Sequence, residues 1–355
     1  MSRWWYAFAA AALAVATAWV IGPTGEQPPV QFARPEPARA VTAAPEGRSR
    51  YTSPIRYAYS PACENGSAPC SHWVLVAWGG ERGWLPGTDA ADSLSLSPDG
   101  THAAYLRTSD DTYVVADLRT GAVKALPVRQ KGGTVSEMFG AQIPLFSLDG
   151  RHLLVQRDHL DKDDETVLEN PMIVDLGTGA VRHLPAVGQV VGWTSAGLMT
   201  KTTRRTNSLP GHTTSASFTV WSPKGKVVGR FTLPGNLAAG AMPSPSGRAT
   251  ATLAREITPD GVVGHGIVLT DTSTGRPART VAPGLPAGWQ ATSVLRWDGE
   301  DAVVVQTSGP RAEMAYHVVD LATGAARRLD VRISDVADLF LQPAELGVAL
   351  GKVRQ

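Results

Sequence analysis

"SLSPDGTHAAYLRTSDDTYVVADLRTGAVKALP", residues 95–127, is the stretch that decides the fold. A short apolar strand runs into Pro98-Asp99-Gly100, two more apolar strands follow, and the second ends near Thr120-Gly121 before a last strand. Asp-Gly between apolar runs predicts a hairpin, because Gly takes positive φ at low cost and Asp bonds its own backbone. The unit then returns. Its first turn recurs as Leu148-Asp149-Gly150 and, more loosely, as Ser195-Ala196-Gly197, Pro245-Ser246-Gly247 and Trp297-Asp298-Gly299. Its second turn recurs at Gly179, Gly225, Gly275 and Gly324, and a spacing of about 50 residues indicates propeller blades or related arrays.

Four strands and two tight turns per unit describe one propeller blade. A sixth unit is split between the chain ends. "HWVLVAWGGERGWLPG", residues 72–87, has the shape of a third and fourth strand, and "VADLFLQPAELGVALGKV", residues 336–353, that of a first and second. Joining them closes the ring and removes exposed strand edges. "PIRYAYS", residues 54–60, competes for the second place in that blade; if it takes it, the C-terminus supplies only one inner strand and a tail. The expectation is an all-β, six-bladed β-propeller of four-stranded blades over residues 55–355, with a split closing blade, preceded by an N-terminal transmembrane helix or signal segment.

Composition agrees with this. The 355 residues include 36 glycines and 26 prolines, which favour many turns over long helices. A net charge of +1 gives no electrostatic reason to expect nucleic acid as a partner. Residues 1–22 carry one cation, Arg3, then an uncharged apolar run from Trp4 to Gly22 with Trp4, Trp5, Tyr6 and Trp19 near its ends. Such a helix is roughly 28 Å long, close to a hydrocarbon core, and its aromatic ends match an interfacial belt. Ala16-Thr17-Ala18 also fits a signal-peptide cleavage site, so anchor and cleaved leader both stand. Either exports the remainder: a single-pass membrane protein with its propeller outside the cytoplasm, or a secreted one. Residues 23–54 are rich in Pro and Ala without apolar periodicity and read as an extended linker.

"SLSPDGTHAAYLR" with "YVVADLRTGAVKALP", and "LFSLDGRHLLVQR" with "MIVDLGTGAVRHLP", resemble the WD-like repeats of the TolB-type six-bladed propeller family. The likeness spans roughly residues 72–350 and weakens in the third unit. It implies an exported bacterial protein that works by binding other proteins and by scaffolding. The family has no general catalytic residues to carry over, and the chain lacks the separate N-terminal domain of TolB itself, so TolB's own partners are not implied.

In a four-stranded blade the first and third turns share one end, so the longer loops fall on the other, where function on repeat scaffolds collects. These are "VRQKGGTVSEMFGAQI", "DHLDKDDETVLENP", "KTTRRTNSLPGHTTSAS" and "REITPDGVVGHG". Binding candidates there are Asp158, Asp161, Asp163 and Asp164, with Glu165 beside them, and the cationic Lys201, Arg204 and Arg205. The acidic run lacks the spacing and glycine of a Ca²⁺ loop. Cys63 and Cys70 bracket a short segment and read as a disulfide in an oxidising compartment. His102 and His152 hold equivalent places after the first turn and read as blade features.

"GVALGK" is not a complete P-loop, and GxSxG and HExxH are absent. The inner strands read "SLSLS", "IPLFS", "VVGWT", "GAMPS", "SVLRW" and "DLFLQ", with Arg296 the one charge before the turns, which describes a packed, weakly polar channel. No catalytic residue, metal or cofactor is therefore expected. The expected partner is an envelope protein or surface ligand, met by a monomer. A propeller hydrolase or lactonase with its site on the long-loop face is the alternative.

Overall fold

The computed structural model describes residues 46–59, 72–89, 94–129, 144–156, 158–160, 166–168, 170–185, 187–205, 213–258, 261–310, 313–329 and 349–350. Its architecture is all-β, a six-bladed propeller with four-stranded blades. Blade 2 consists of Leu94–Leu96, His102–Arg107, Thr112–Asp117 and Val123–Arg129 in sequential antiparallel order. Blades 3 to 6 repeat that order from Leu145, Gln189, Met242 and Gln290.

The repeated turns form for local reasons. Ser97 Oγ donates to Asp99 Oδ1 at 2.6 Å, Asp99 accepts the Thr101 N–H at 3.0 Å, and His102 N–H donates back to Ser97 Oγ at 2.9 Å. Ser147, Asp149, Arg151 and His152 reproduce the same three bonds at the same three lengths. In the second turn, Asp117, Asp175, Asp271 and Asp320 each accept a backbone N–H two or three residues on, at 2.7 to 2.8 Å. These bonds hold each of the four carboxyls below the usual carboxylate range. Gly121, which follows one such turn, has φ +77°, a conformation that a Cβ would strain.

Blade faces are buried on both sides, so central strands lack polar alternation; Thr112 to Ala116 are buried without interruption. Among the described residues, apolar clusters fill the seams between successive blades from 1 to 6. Leu75 and Ala77 meet Leu94 and Tyr105, Leu106 and Tyr113 meet Phe146 and Leu153, and Leu154 and Ile173 meet Trp193 and Leu198. Phe218 and Leu233 join Val268 through Leu237 of the short helix Gly235–Ala238, and Ala251 and Ile267 meet Trp297 and Val303. Two indoles also reach across seams: Trp193 Nε1 donates to the Leu145 carbonyl at 3.1 Å, and Trp297 Nε1 to that of Met242 at 2.9 Å.

The closing blade, blade 1, resolves the competition left open by the sequence. Ile55–Tyr59 takes the second place, pairing with Val74–Ala77, and Ala349–Leu350 is the inner strand beside it. The segment matched to a first strand, residues 336–342, lies outside the described residues. Position explains why Ile55–Tyr59 prevails: its first residue is tied to blade 2 by an Ile55 N–H to Gly100 carbonyl bond of 2.8 Å. Glu46–Gly47 adds an unforeseen fifth strand, parallel to Arg82–Trp84.

Residues 46–54, read from composition as the end of the linker, therefore lie on the propeller as a strap. Tyr51 is 3% exposed, its N–H bonds the Leu118 carbonyl at 2.7 Å and its hydroxyl donates to the Gly83 carbonyl at 3.1 Å. Glu81 fixes the strap from the side: it pairs with Arg48 at 2.8 Å and accepts N–H and O–H from Thr52. Because Glu46–Gly47 runs parallel to a strand that begins at the Gly80 turn, the chain reaches the domain at the turn end. Residues 1–22 and the cysteine pair Cys63 and Cys70 lie outside the described residues. No helix among the described residues is long and apolar enough to cross a membrane.

Candidate functional site

The two ends of the ring differ in construction. At the hairpin end, several segments expected to be loops are paired strands. Gly197–Arg205 pairs with Thr213–Trp221, and Ala249–Thr258 with Gly261–Asp271. Their Thr, Val and Ile content suits a pleated ladder better than a loop. These strands of 9 to 11 residues exceed the 6-residue middle strands of blade 2. At about 3.3 Å per residue, the surplus carries the blade 4 and blade 5 hairpins roughly 10 to 15 Å further than that of blade 2.

Of the predicted binding residues, Asp158, Lys201, Arg204 and Arg205 lie on described strands. Asp158 lies on the strand Asp158–Leu160, which pairs with Thr166–Leu168 in a two-stranded hairpin of its own. Asp161, Asp163, Asp164 and Glu165 lie outside the described residues. Arg204 is exposed, opposite Ser215, and Arg205 pairs in register with Thr213. Lys201 departs from the expected cationic loop: its ammonium donates to the Ala238 carbonyl at 3.4 Å, and burial holds it below the usual lysine value. Among the described residues no three His, Cys, Asp or Glu side chains converge as a metal group would.

On the inner strands and the turns that follow them, small polar side chains are buried: Ser95, Ser97, Ser147, Thr194 and Ser244. Arg296 stands opposite Val304, and its Nε and Nη2 are buried without a hydrogen-bond partner. Burial lowers its affinity for a proton, partly offset by Asp298.

At the turn end two adjoining clefts open, a feature sequence reasoning did not find. The larger, about 700 Å³, lies between the strap and blade 2. The strap contributes Arg50, Tyr51 and Thr52; the two repeated turns contribute Thr101 and His102, then Asp117, Arg119 and Thr120. Arg50 lies across the second turn, so close that a Cβ on Gly121 would meet its Cγ at 2.9 Å. Neither Arg50 nor Arg119 has an ion-pair partner among the described residues.

The smaller cleft, about 340 Å³, opens between blades 2 and 3 and shares His102 and Asp117 with the larger. Its walls include Val115, Val123, Phe146 and Leu176, and Lys124 Nζ spans its mouth to the Leu176 carbonyl at 2.8 Å. His102 bonds Thr101 Oγ1 through Nδ1 at 2.8 Å, so the blade feature read from sequence also borders both clefts.

No family model matches the chain, and no curated protein matches it. Solved structures do. An acylaminoacyl peptidase of Pyrococcus horikoshii aligns over 81% of this chain and 48% of its own, at 13% identity and TM-score 0.47. The β-propeller domain of the Trilobed protease from Pyrococcus furiosus aligns over 70% and 73%, at 15% and 0.41. A dipeptidyl peptidase 4 of Porphyromonas gingivalis aligns over 73% and 39%, at 13% and 0.38. The chain thus spans less than half the length of the two peptidases. At this identity the likeness is one of fold, and no activity travels with it.

Proposed function

We propose that this chain is an exported, membrane-anchored propeller, similar to the TolB type, that binds another protein of the cell envelope and acts as a scaffold for it. One observation carries the reading: the hairpins of blades 4 and 5, with strands of 9 to 11 residues, extend at the end opposite the one where the strap enters. Paired strands hold their side chains in fixed register, so Thr202, Thr203 and Arg204 form a preorganised surface. The N-terminal apolar run supports the anchor.

The test is crosslinking capture from envelope extracts with full-length chain. Thr203→Glu with Arg204→Glu should abolish capture of the specific partner, while Arg182→Glu, on an outer strand, should leave it intact. Capture indifferent to the hairpin pair would sink the reading. A stoichiometric metal accompanied by lactone or ester hydrolysis would replace it with the propeller hydrolase.

A further inference from the structure

We infer that the two adjoining clefts at the turn end form one binding site for a small amphipathic anion, a carboxylate or phosphate head on an alkyl or aryl body. The site is independent of the hairpin surface proposed for a protein partner.

The head group's place follows from charge and donors. Arg50 and Arg119 both line the larger cleft, one from the strap and one from the second turn, and neither has an ion-pair partner among the described residues. Guanidinium forks match carboxylate and phosphate oxygens, and the two arginines are the donors the cleft has to offer, since the Thr52 hydroxyl is committed to Glu81. Asp117 is the one acid on the wall. Its Oδ1 accepts the Arg119 and Thr120 N–H groups at 2.8 and 3.2 Å, so part of its charge is spent on the turn. Two guanidiniums against one partly compensated carboxylate leave the cleft cationic.

The body's place follows from the shared wall. Beyond His102 and Asp117 the smaller cleft turns apolar, along Val115, Val123, Phe146 and Leu176. Val123 is 46% exposed, among the most exposed large apolar side chains described. An alkyl chain laid there would cover Val123 and reach the partly covered core between blades 2 and 3. A purely polar anion would leave this half unused, and a neutral apolar molecule would leave both arginines unpaired.

The strap makes the site conditional on a correctly closed ring. Arg50 reaches the cleft because Tyr51 is anchored to Leu118 and Gly83 on either side. A chain whose strap detached would keep the apolar cleft and lose half of the anion clamp.

The experiment uses full-length chain in phosphatidylcholine nanodiscs, with octanoate, octyl phosphate, octanamide and acetate as probes and the thermal unfolding midpoint as readout. Octanoate or octyl phosphate should raise the midpoint in a saturable way, while octanamide and acetate at equal concentration should not. Arg50→Ala with Arg119→Ala should weaken the anion about tenfold or more, as loss of two charge-assisted forks implies. Val123→Glu should weaken it by repulsion and lost apolar contact. All three positions are exposed, so the unliganded midpoint should change little. Absence of a saturable shift with both anions, or equal binding by the double-arginine variant, overturns the inference. Partner capture through Thr203 and Arg204 should be unaffected in either case, which separates the two sites.

Discussion

The turn end and the hairpin end of this propeller are built from the same strands on different terms. At the turn end, side-chain oxygens two to five residues from their partners lock the first turn into one geometry, repeated almost without change in blades 2 and 3. At the hairpin end the same strands run to different lengths, from 4 residues in blade 3 to 11 in blade 5. A ring needs uniform spacing only where blades are stapled; beyond the shared core, each hairpin is free to extend. Local side-chain bonding fixes the repeated end of the blade, and strand length varies where that bonding is absent.

The largest expected effect tests whether the long hairpins are rooted in the core. Phe218 is fully buried, stacked on Phe231 at 4.8 Å, where the blade 4 hairpin leaves the ring. Phe218→Ala should cost about 3 to 5 kcal/mol, read by denaturant unfolding. A loss near zero would mean that the hairpin folds apart from the blade and would break the contrast between the two ends.

A smaller effect discriminates between two turns that share Asp-Gly. Gly100 and Gly299 both take positive φ, +69° and +71°. A Cβ at Gly100 would meet the Ile55 carbonyl oxygen at 2.3 Å, whereas at Gly299 it would meet nothing within 4 Å. Gly299→Ala should therefore cost about 1 to 2 kcal/mol, the left-handed backbone penalty alone. Gly100→Ala should cost distinctly more and should loosen the strap, seen as faster hydrogen exchange at the Ile55 and Tyr51 amides. Equal costs would show that the strap is not docked on the first turn.

The smallest expected effect concerns pH and lies in blade 6. His317 is 2% exposed; its Nδ1 bonds Thr307 Oγ1 at 2.9 Å, and that hydroxyl donates to the Ala315 carbonyl. Burial, with Arg328 nearby, holds the imidazole below its ordinary value, so the folded state favours the neutral ring. A depressed histidine is stabilising while neutral in both states. That contribution fades as pH falls below about 6.5, where the unfolded chain takes up the proton first. The stability advantage of the parent over His317→Gln should shrink between neutral pH and about pH 5; an advantage that grows would reverse the assignment.

How much was legible follows from sequence distance. The bonds from Ser97 to Asp99 and from Asp117 to Thr120 span two or three residues, so the PDG and TG turns could be read directly and the blade count with them. The strands Lys201–Arg205 and Thr213–Ser217 looked like loop because each is polar on its own, and only their mutual pairing makes them a ladder. The strap escaped for a related reason. Its composition is that of a linker, while its order comes from bonds to Glu81, Gly83, Gly100 and Leu118, 29 to 67 residues away.

The sequence by itself determined the blade, its repetition and the end of the ring where the turns lie, because glycine conformation and aspartate bonding are properties of a few adjacent residues. It also determined that net charge is near zero. Only the tertiary structure decided which strand closes the ring, that Arg50 and Arg119 line one cleft, and that this cleft adjoins an apolar one. Those facts depend on residues from separate blades meeting at a seam, and a seam has no signature until the ring is closed.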